Sequence, residues 1–191
     1  SDLPGEQLRA HLESVGVGLA GVERTEGSSG VAVIVVAPHG ENCIVVTPGA
    51  NAHVSPDYVD LHLDLIRSAG LVLTQLEIPL ETVQYLAKVC SREGIPLMLD
   101  PAPAQNLSSS LLKQINWFKP NETEAAFYTG NGFVSGASTA PDAMARSLIA
   151  QGPPGILLKM GSRGAYLAAD GIDEQVDAIT VKAIDTTAAG D

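Results

Sequence analysis

The sequence is short of basic residues, aromatics and cysteine. Its 11 Lys and Arg stand against 22 Asp and Glu, a formal net charge of −11. A chain this acidic offers no general nucleic-acid-binding surface, because such a surface needs a basic footprint. A phosphorylated ligand would have to be held locally, by backbone N–H groups, a few cations or a metal. The two cysteines, Cys43 and Cys90, lie in apolar contexts without metal-ligand spacing. They read as two buried free thiols in a reducing cytoplasm. The histidines at 11, 39, 53 and 62 are scattered and form no ligand pair. Apolar runs such as "VAVIVVA" and "GILLKM" are too short to span a bilayer, and the N-terminal stretch "SDLPGEQLRAHLES" has no secretory pattern.

What is present is a chain of 191 residues, 45% hydrophobic and 17% charged, enough for one domain with a sizeable core. Leu8, Leu12 and Val15 mark one face of a helix over 6–15. Two β-rich runs, 31–37 and 43–47, flank the turn-rich "PHGEN" and predict a hairpin. From Ser55 onward helical and strand patterns alternate. Helices are expected over 56–68, 80–92, 108–114, 121–129 and 139–151, the last with Ala143, Met144 and Leu148 inward. Strands are expected at 71–74, 95–100, 116–119, 156–160 and 165–169, with a further extended segment at 175–184. Such alternation gives a mostly parallel sheet covered by helices on both faces. The early hairpin does not fit that plan and is expected as a separate small sheet. No internal repeat and no low-complexity linker interrupts the chain.

In open α/β sheets ligands bind at the carboxyl ends of the strands. Five such ends carry polar or glycine-rich residues: Glu77; Asp100; Asn121 with Glu124; Lys159, Gly161 and Gly164; and the stretch from Asp185 to Asp191. Each has a structural reading beside the functional one. Asn121 and Glu124 have capping-box spacing. "GSRG" suits a hairpin turn, Asp100 before Pro101 suits a turn start, and Glu77 suits a solvated loop. "DTTAAGD" suits a helix N-terminus with a Thr cap. The functional case for that last stretch is physical. Small residues let several N–H groups converge on an anion at a helix N-terminus. An aspartate at the edge of that hole suits a general base acting on a hydroxyl during phosphoryl transfer.

These residues also carry a resemblance. "DTTAAGD" is similar to the C-terminal signature D-T-x-[GA]-A-G-D of the PfkB-type carbohydrate kinases. "PGANAHVSP", "LTQLEIPLE", "DPAPAQNL", "PNETEA" and "LLKMGSRGAYL" resemble further family segments in the family's order, over nearly the whole chain. The resemblance implies a three-layer α/β/α fold with a mostly parallel central sheet and a small β-sheet lid, to which residues 28–50 contribute. It implies phosphoryl transfer from ATP to the 5-hydroxyl of D-ribose, with Mg²⁺ and a monovalent cation, K⁺, and a homodimer paired through the lid.

The implied roles are these. Asp191 is the base facing the sugar hydroxyl, and Ala188, Ala189 and Gly190 are the backbone anion hole. Asn121 and Glu124 help to place the Mg²⁺-bound phosphates. Lys159, Met160, Gly161, Ser162, Arg163 and Gly164 form an ATP-contacting turn. Glu77 touches the sugar, and the backbone carbonyls of Asp185 and Thr187 hold K⁺. Two positions depart from the family pattern: Lys159 stands where Thr is usual, and Asp100 where Asn is usual. The first turns a hydroxyl contact to phosphate into a charged one; the second is expected to be structural at most. The resemblance also implies family segments before residue 1, including a sugar-gripping Asp and a Gly-Gly-x-x-x-Asn run, and a helix and adenine pocket after Asp191. A sibling PfkB-type sugar or nucleoside kinase, or a non-catalytic ligand-binding protein of the same fold, remains the alternative. A doubly wound dinucleotide-binding oxidoreductase needs G-x-G-x-x-G after the first strand, and no such run follows residues 31–37.

Overall fold

A computed structural model describes residues 2–36, 42–130 and 140–181. The chain divides into two compact units, Ser1–Ala69 with Glu77–Leu86, and Gly70–Leu76 with Ala87–Asp191.

The first unit begins with helix α1 (Leu3–Ser14). Asp2 caps it by accepting from the Gly5 N–H, with proline in the first turn. Hydrogen bonds from the Ser29 backbone and hydroxyl, then from Gly5, hold the Asp2 carboxyl down at about 2. No residue of α1 is buried, so its apolar stripe marks a helix without marking a core face. The run Gly16-Val17-Gly18-Leu19-Ala20-Gly21 has G-x-G-x-x-G spacing. It follows α1 rather than a strand and leads into irregular chain, so it lacks the strand–turn–helix context of a dinucleotide site.

Strands β1 (Val31–Val36) and β2 (Asn42–Thr47) pair antiparallel as the expected separate sheet, in register from Val31↔Thr47 to Val36↔Asn42. Cys90 is buried as expected, but Cys43 is exposed, because it lies on this two-stranded sheet rather than in the core. A 3-10 turn, Gly49–His53, follows them, which the sequence pattern did not reveal. The helix expected over 56–68 is divided at His62 into α2 (Pro56–Leu61), capped by the Ser55 side chain, and α3 (Leu63–Arg67). His62 has left the helical ψ, at 19°, while its N–H still reaches back to Tyr58 and Val59. Tyr58 donates its hydroxyl to the Gly21 carbonyl at 2.6 Å, and Thr82 donates to the Val54 carbonyl at 2.7 Å.

The second unit holds a six-stranded sheet in the order β3 (Val72–Thr74), β4 (Leu97–Leu99), β5 (Trp117–Phe118), β6 (Gly155–Lys159), β7 (Ala165–Ala169) and β8 (Ile172–Val176). β3 to β6 run parallel; β7 and β8 add antiparallel. The helices between them are α4 (Leu80–Glu93), α5 (Ser109–Leu112), α6 (Glu122–Thr129) and α7 (Pro141–Ile149). This is the mostly parallel α/β plan of the sequence reading, with its small antiparallel sheet apart.

Element ends shift by a few residues, and the inward face of one helix differs from the expected one. α7 turns Met144, Ala145 and Leu148 inward and leaves Ala143 exposed. β8 begins at Ile172, not at 175, because Asp170–Gly171 is a two-residue hairpin loop with Gly171 at φ 73°. An Asp-Gly pair is a strong signal for such a loop. β4 is shorter than 95–100 because Pro96 has no N–H to pair; its carbonyl still accepts from Val72 at 2.9 Å.

The core lies on this sheet. Leu97 and Leu99 of β4, Phe118 of β5, and Ile156 and Leu158 of β6 are almost wholly buried. α6 and α7 pack on each other and on β6. Among the described residues, no helix is long and apolar enough to cross a membrane.

Candidate active site

Parallel pairing puts the carboxyl ends of β3 to β6 along one edge. Asp100 follows β4, Lys119 follows β5 and Lys159 closes β6. Backbone bonds fix these ends together. The Asp100 N–H donates to the Thr74 carbonyl, that of Lys119 to Leu99, and that of Lys159 to Pro120, each at 2.9 Å.

On this edge the two departures from the family pattern meet. The Lys159 ammonium donates to both Asp100 carboxylate oxygens, at 3.0 and 2.8 Å. Lys119 Nζ lies 2.8 Å from the same Asp100 Oδ2. Asp100 is only 7% exposed. One carboxylate therefore ties the ends of three adjacent strands. The sequence reading took Asp100 as a structural difference at most and turned the Lys159 charge toward phosphate. In the structure each is the other's partner, and Lys119, which that reading did not name, joins the same carboxylate. The strand-end rule, extended to every charged residue just past a strand, would have found it.

Asn121 and Glu124 form the capping box of α6. The Asn121 side chain accepts from the Glu124 N–H at 2.8 Å, and Glu124 accepts from the Asn121 N–H at 2.7 Å. Glu124 is buried, and this desolvation pushes its carboxyl above the usual glutamate value. The Asn121 hydrogen bond and Lys159 and Lys119 oppose that shift, while Asp100 adds to it. The long reach of these effects marks Glu124 as part of the same electrostatic cluster. One turn on, Tyr128 donates its hydroxyl to the Gln105 carbonyl at 2.8 Å, and burial raises that phenol to about 12.

"GSRG" is a 3-10 turn, Gly161–Arg163, closed by the Met160 N–H donating to the Gly164 carbonyl at 2.9 Å. Gly161, Ser162 and Arg163 are exposed, and Met160 is buried. Arg163 is ion-paired with Glu122 of α6, so the turn is anchored beside the Asn121 cap. Beside Asp100 and Lys119 the strand ends leave a cavity of about 280 Å³, also lined by Leu73, Thr74, Gln75 and Met98. Glu77 is exposed, in the bend between β3 and α4. Asp185, Thr187, Ala188, Ala189, Gly190 and Asp191 lie outside the described residues. Among the described residues no group of three or more His, Cys, Asp or Glu could hold a metal ion.

An α/β unit with a charged strand-end site and a detached hairpin sheet is the plan of a sugar-kinase fold. The whole chain, residues 1–191, matches the pfkB family carbohydrate kinase pattern. The chain belongs to that family. It is 36% identical to a ribokinase of Schizosaccharomyces pombe over 100% of this chain and 61% of that protein. It is 35% identical to a deoxyribokinase of Salmonella typhi over 100% of this chain and 62% of that protein. The structure of the Arabidopsis thaliana ribokinase complexed with ribose and ATP superposes with a TM-score of 0.72 at 31% identity, over 87% of this chain and 54% of that one. The chain thus spans about 61% of the length of the first of these curated relatives.

Proposed function

We propose that the complete protein transfers the terminal phosphoryl group of ATP to the 5-hydroxyl of D-ribose, giving D-ribose 5-phosphate and ADP. The observation that carries this reading is family membership over residues 1–191, with Asn121, Glu124 and the Lys159 turn at one strand-end edge. The two small-molecule partners are those named for the Arabidopsis relative.

Asp191 removes the proton of the acceptor hydroxyl, and the N–H groups of Ala188, Ala189 and Gly190 hold the transferring phosphoryl group. Asn121 and Glu124 orient the phosphate chain from the N-terminus of α6. The turn from Lys159 to Gly164 lies along the nucleotide, offering exposed backbone at Gly161 and Ser162 and closed by Gly164. Glu77 binds the sugar. Glu124 offers a single carboxylate, a donor set suited to Mg²⁺, which keeps most of its waters and phosphate oxygens. When bound, Mg²⁺ would neutralise phosphate charge. The backbone carbonyls of Asp185 and Thr187 would hold K⁺ and shape the anion hole.

The β1–β2 hairpin serves as a lid and pairs two copies of the protein. Its support is exposed apolar surface: Val33, Val35 and Val45 are 56%, 61% and 61% exposed. Sheet surface of this kind marks an interface.

The Salmonella deoxyribokinase favours a second reading, with 2-deoxy-D-ribose as acceptor. Assaying the full-length protein with ATP against ribose, deoxyribose, fructose 6-phosphate, adenosine and 2-keto-3-deoxygluconate separates these. Turnover with ribose above the other acceptors is expected. Binding without turnover of any acceptor would favour a non-catalytic protein of the same fold.

A further inference from the structure

We infer that Asp100 is a built-in competitor for the phosphate chain of the donor nucleotide: its carboxylate occupies the Lys159 ammonium at the strand-end edge and thereby sets nucleotide affinity. The inference rests on the nucleotide reading above and deepens it.

The geometry supports an exchange of one oxyanion for another. A carboxylate oxygen 2.8 Å from an ammonium nitrogen sits where a phosphoryl oxygen would sit, since both make charge-assisted hydrogen bonds of that length. Lys159 gives two N–H groups to Asp100, one to each oxygen. Its side chain is 22% exposed, whereas that of Asp100 is 10% exposed. The ammonium is therefore the more accessible member of the pair to an entering anion. A lysine is a compact point charge on a flexible stem and trades one oxyanion for another without the fixed fork of an arginine.

Charge arithmetic gives the direction. Lys119, Lys159, Asp100 and Glu124 carry two charges of each sign when all are ionised, so these four groups sum to zero. Neutralising Asp100 alone leaves these four groups at plus one with both lysines in place. A residue that only held strands together would, on substitution, loosen the site and weaken binding. A competitor would, on substitution, tighten it.

The test is calorimetric titration of the full-length protein with a non-hydrolysable ATP analogue and Mg²⁺, at two salt concentrations. Asp100→Asn is expected to bind about tenfold tighter than the parent, with a steeper salt dependence, as one net positive charge is gained. Lys159→Met is expected to bind about tenfold weaker. The double variant is expected close to the parent. Unchanged or weaker binding by a folded Asp100→Asn overturns the inference. Should Asp100→Asn fail to fold, Lys159→Met decides: unchanged affinity overturns it and weaker binding supports it. A parent that binds no nucleotide defeats the nucleotide reading itself; a parent that binds, with unmoved variants, defeats only the competitor.

Discussion

Asp100 and Lys159, 59 positions apart in sequence, meet as a two-oxygen ion pair at 3.0 and 2.8 Å. The pair reaches from the end of β4 to the end of β6, across β5, whose own Lys119 joins the same carboxylate. Removing one member of a buried pair leaves an uncompensated charge. Asp100→Ala takes the shared carboxylate away from both ammonium groups and should cost about 3 kcal/mol of folding stability. Chemical denaturation measures this. A midpoint within error of the parent would mean that solvent already screens these charges.

The Glu124 carboxyl is raised above its ordinary value by burial. A group whose folded value is raised contributes stability that is fully present below its unfolded value and is lost as pH rises through the folded one. Stability should therefore decline as pH climbs above the ordinary glutamate value of 4.5. Glu124→Gln keeps an acceptor for the Asn121 N–H but cannot ionise, so its stability should fall less over that range. Equal slopes for parent and variant would remove Glu124 as the source.

Asn121 carries two roles that a substitution series separates. As the cap of α6 its side chain accepts from the Glu124 N–H, and Asn121→Ala should lose about 1 kcal/mol. Serine also caps well, so Asn121→Ser should recover most of that stability. If Asn121 also orients phosphates, Asn121→Ser should remain impaired in turnover. Recovery of stability and turnover together would reduce Asn121 to a cap.

Two glycines of the "GSRG" turn should respond differently to alanine. At Gly164, φ is +85° and an added Cβ would lie 1.9 Å from the Val176 carbonyl oxygen. Backbone cannot swing aside as a side chain does, so Gly164→Ala should cost roughly 2–4 kcal/mol. Gly161 has φ +56° but open space around the added atom. Gly161→Ala should cost only about 1 kcal/mol, the backbone penalty alone. Thermal unfolding of both variants checks the order; equal losses would contradict the turn geometry.

Local chemistry made much of this legible. Period changes located the hairpin sheet and the strand–helix alternation, and Ser55, Asn121 and Gly130 marked helix ends that the structure uses. The strand-end rule put Asp100, Asn121, Glu124 and Lys159 on one edge. What stayed hidden was pairing across distance. No spacing rule joins Lys119, Asp100 and Lys159, because their meeting depends on the order β4-β5-β6. The break at His62 was hidden for a related reason: the residues around it keep a helical pattern, and the change is in backbone angle alone. The Asp170–Gly171 pair is itself a hairpin signal, so the start of β8 at Ile172 is legible in the sequence although the expected segment began at 175.

The proposed reaction is phosphoryl transfer to a sugar with Asp191 as base. The most direct measurement is the product of the full-length protein incubated with ATP, Mg²⁺, K⁺ and D-ribose, for the parent and for Asp191→Asn, with ribose binding measured alongside. D-ribose 5-phosphate is expected from the parent. Asp191→Asn is expected to lose several orders of magnitude in turnover with ribose binding largely intact. Near-parent turnover by Asp191→Asn, or no phosphorylated sugar from the parent, would contradict it.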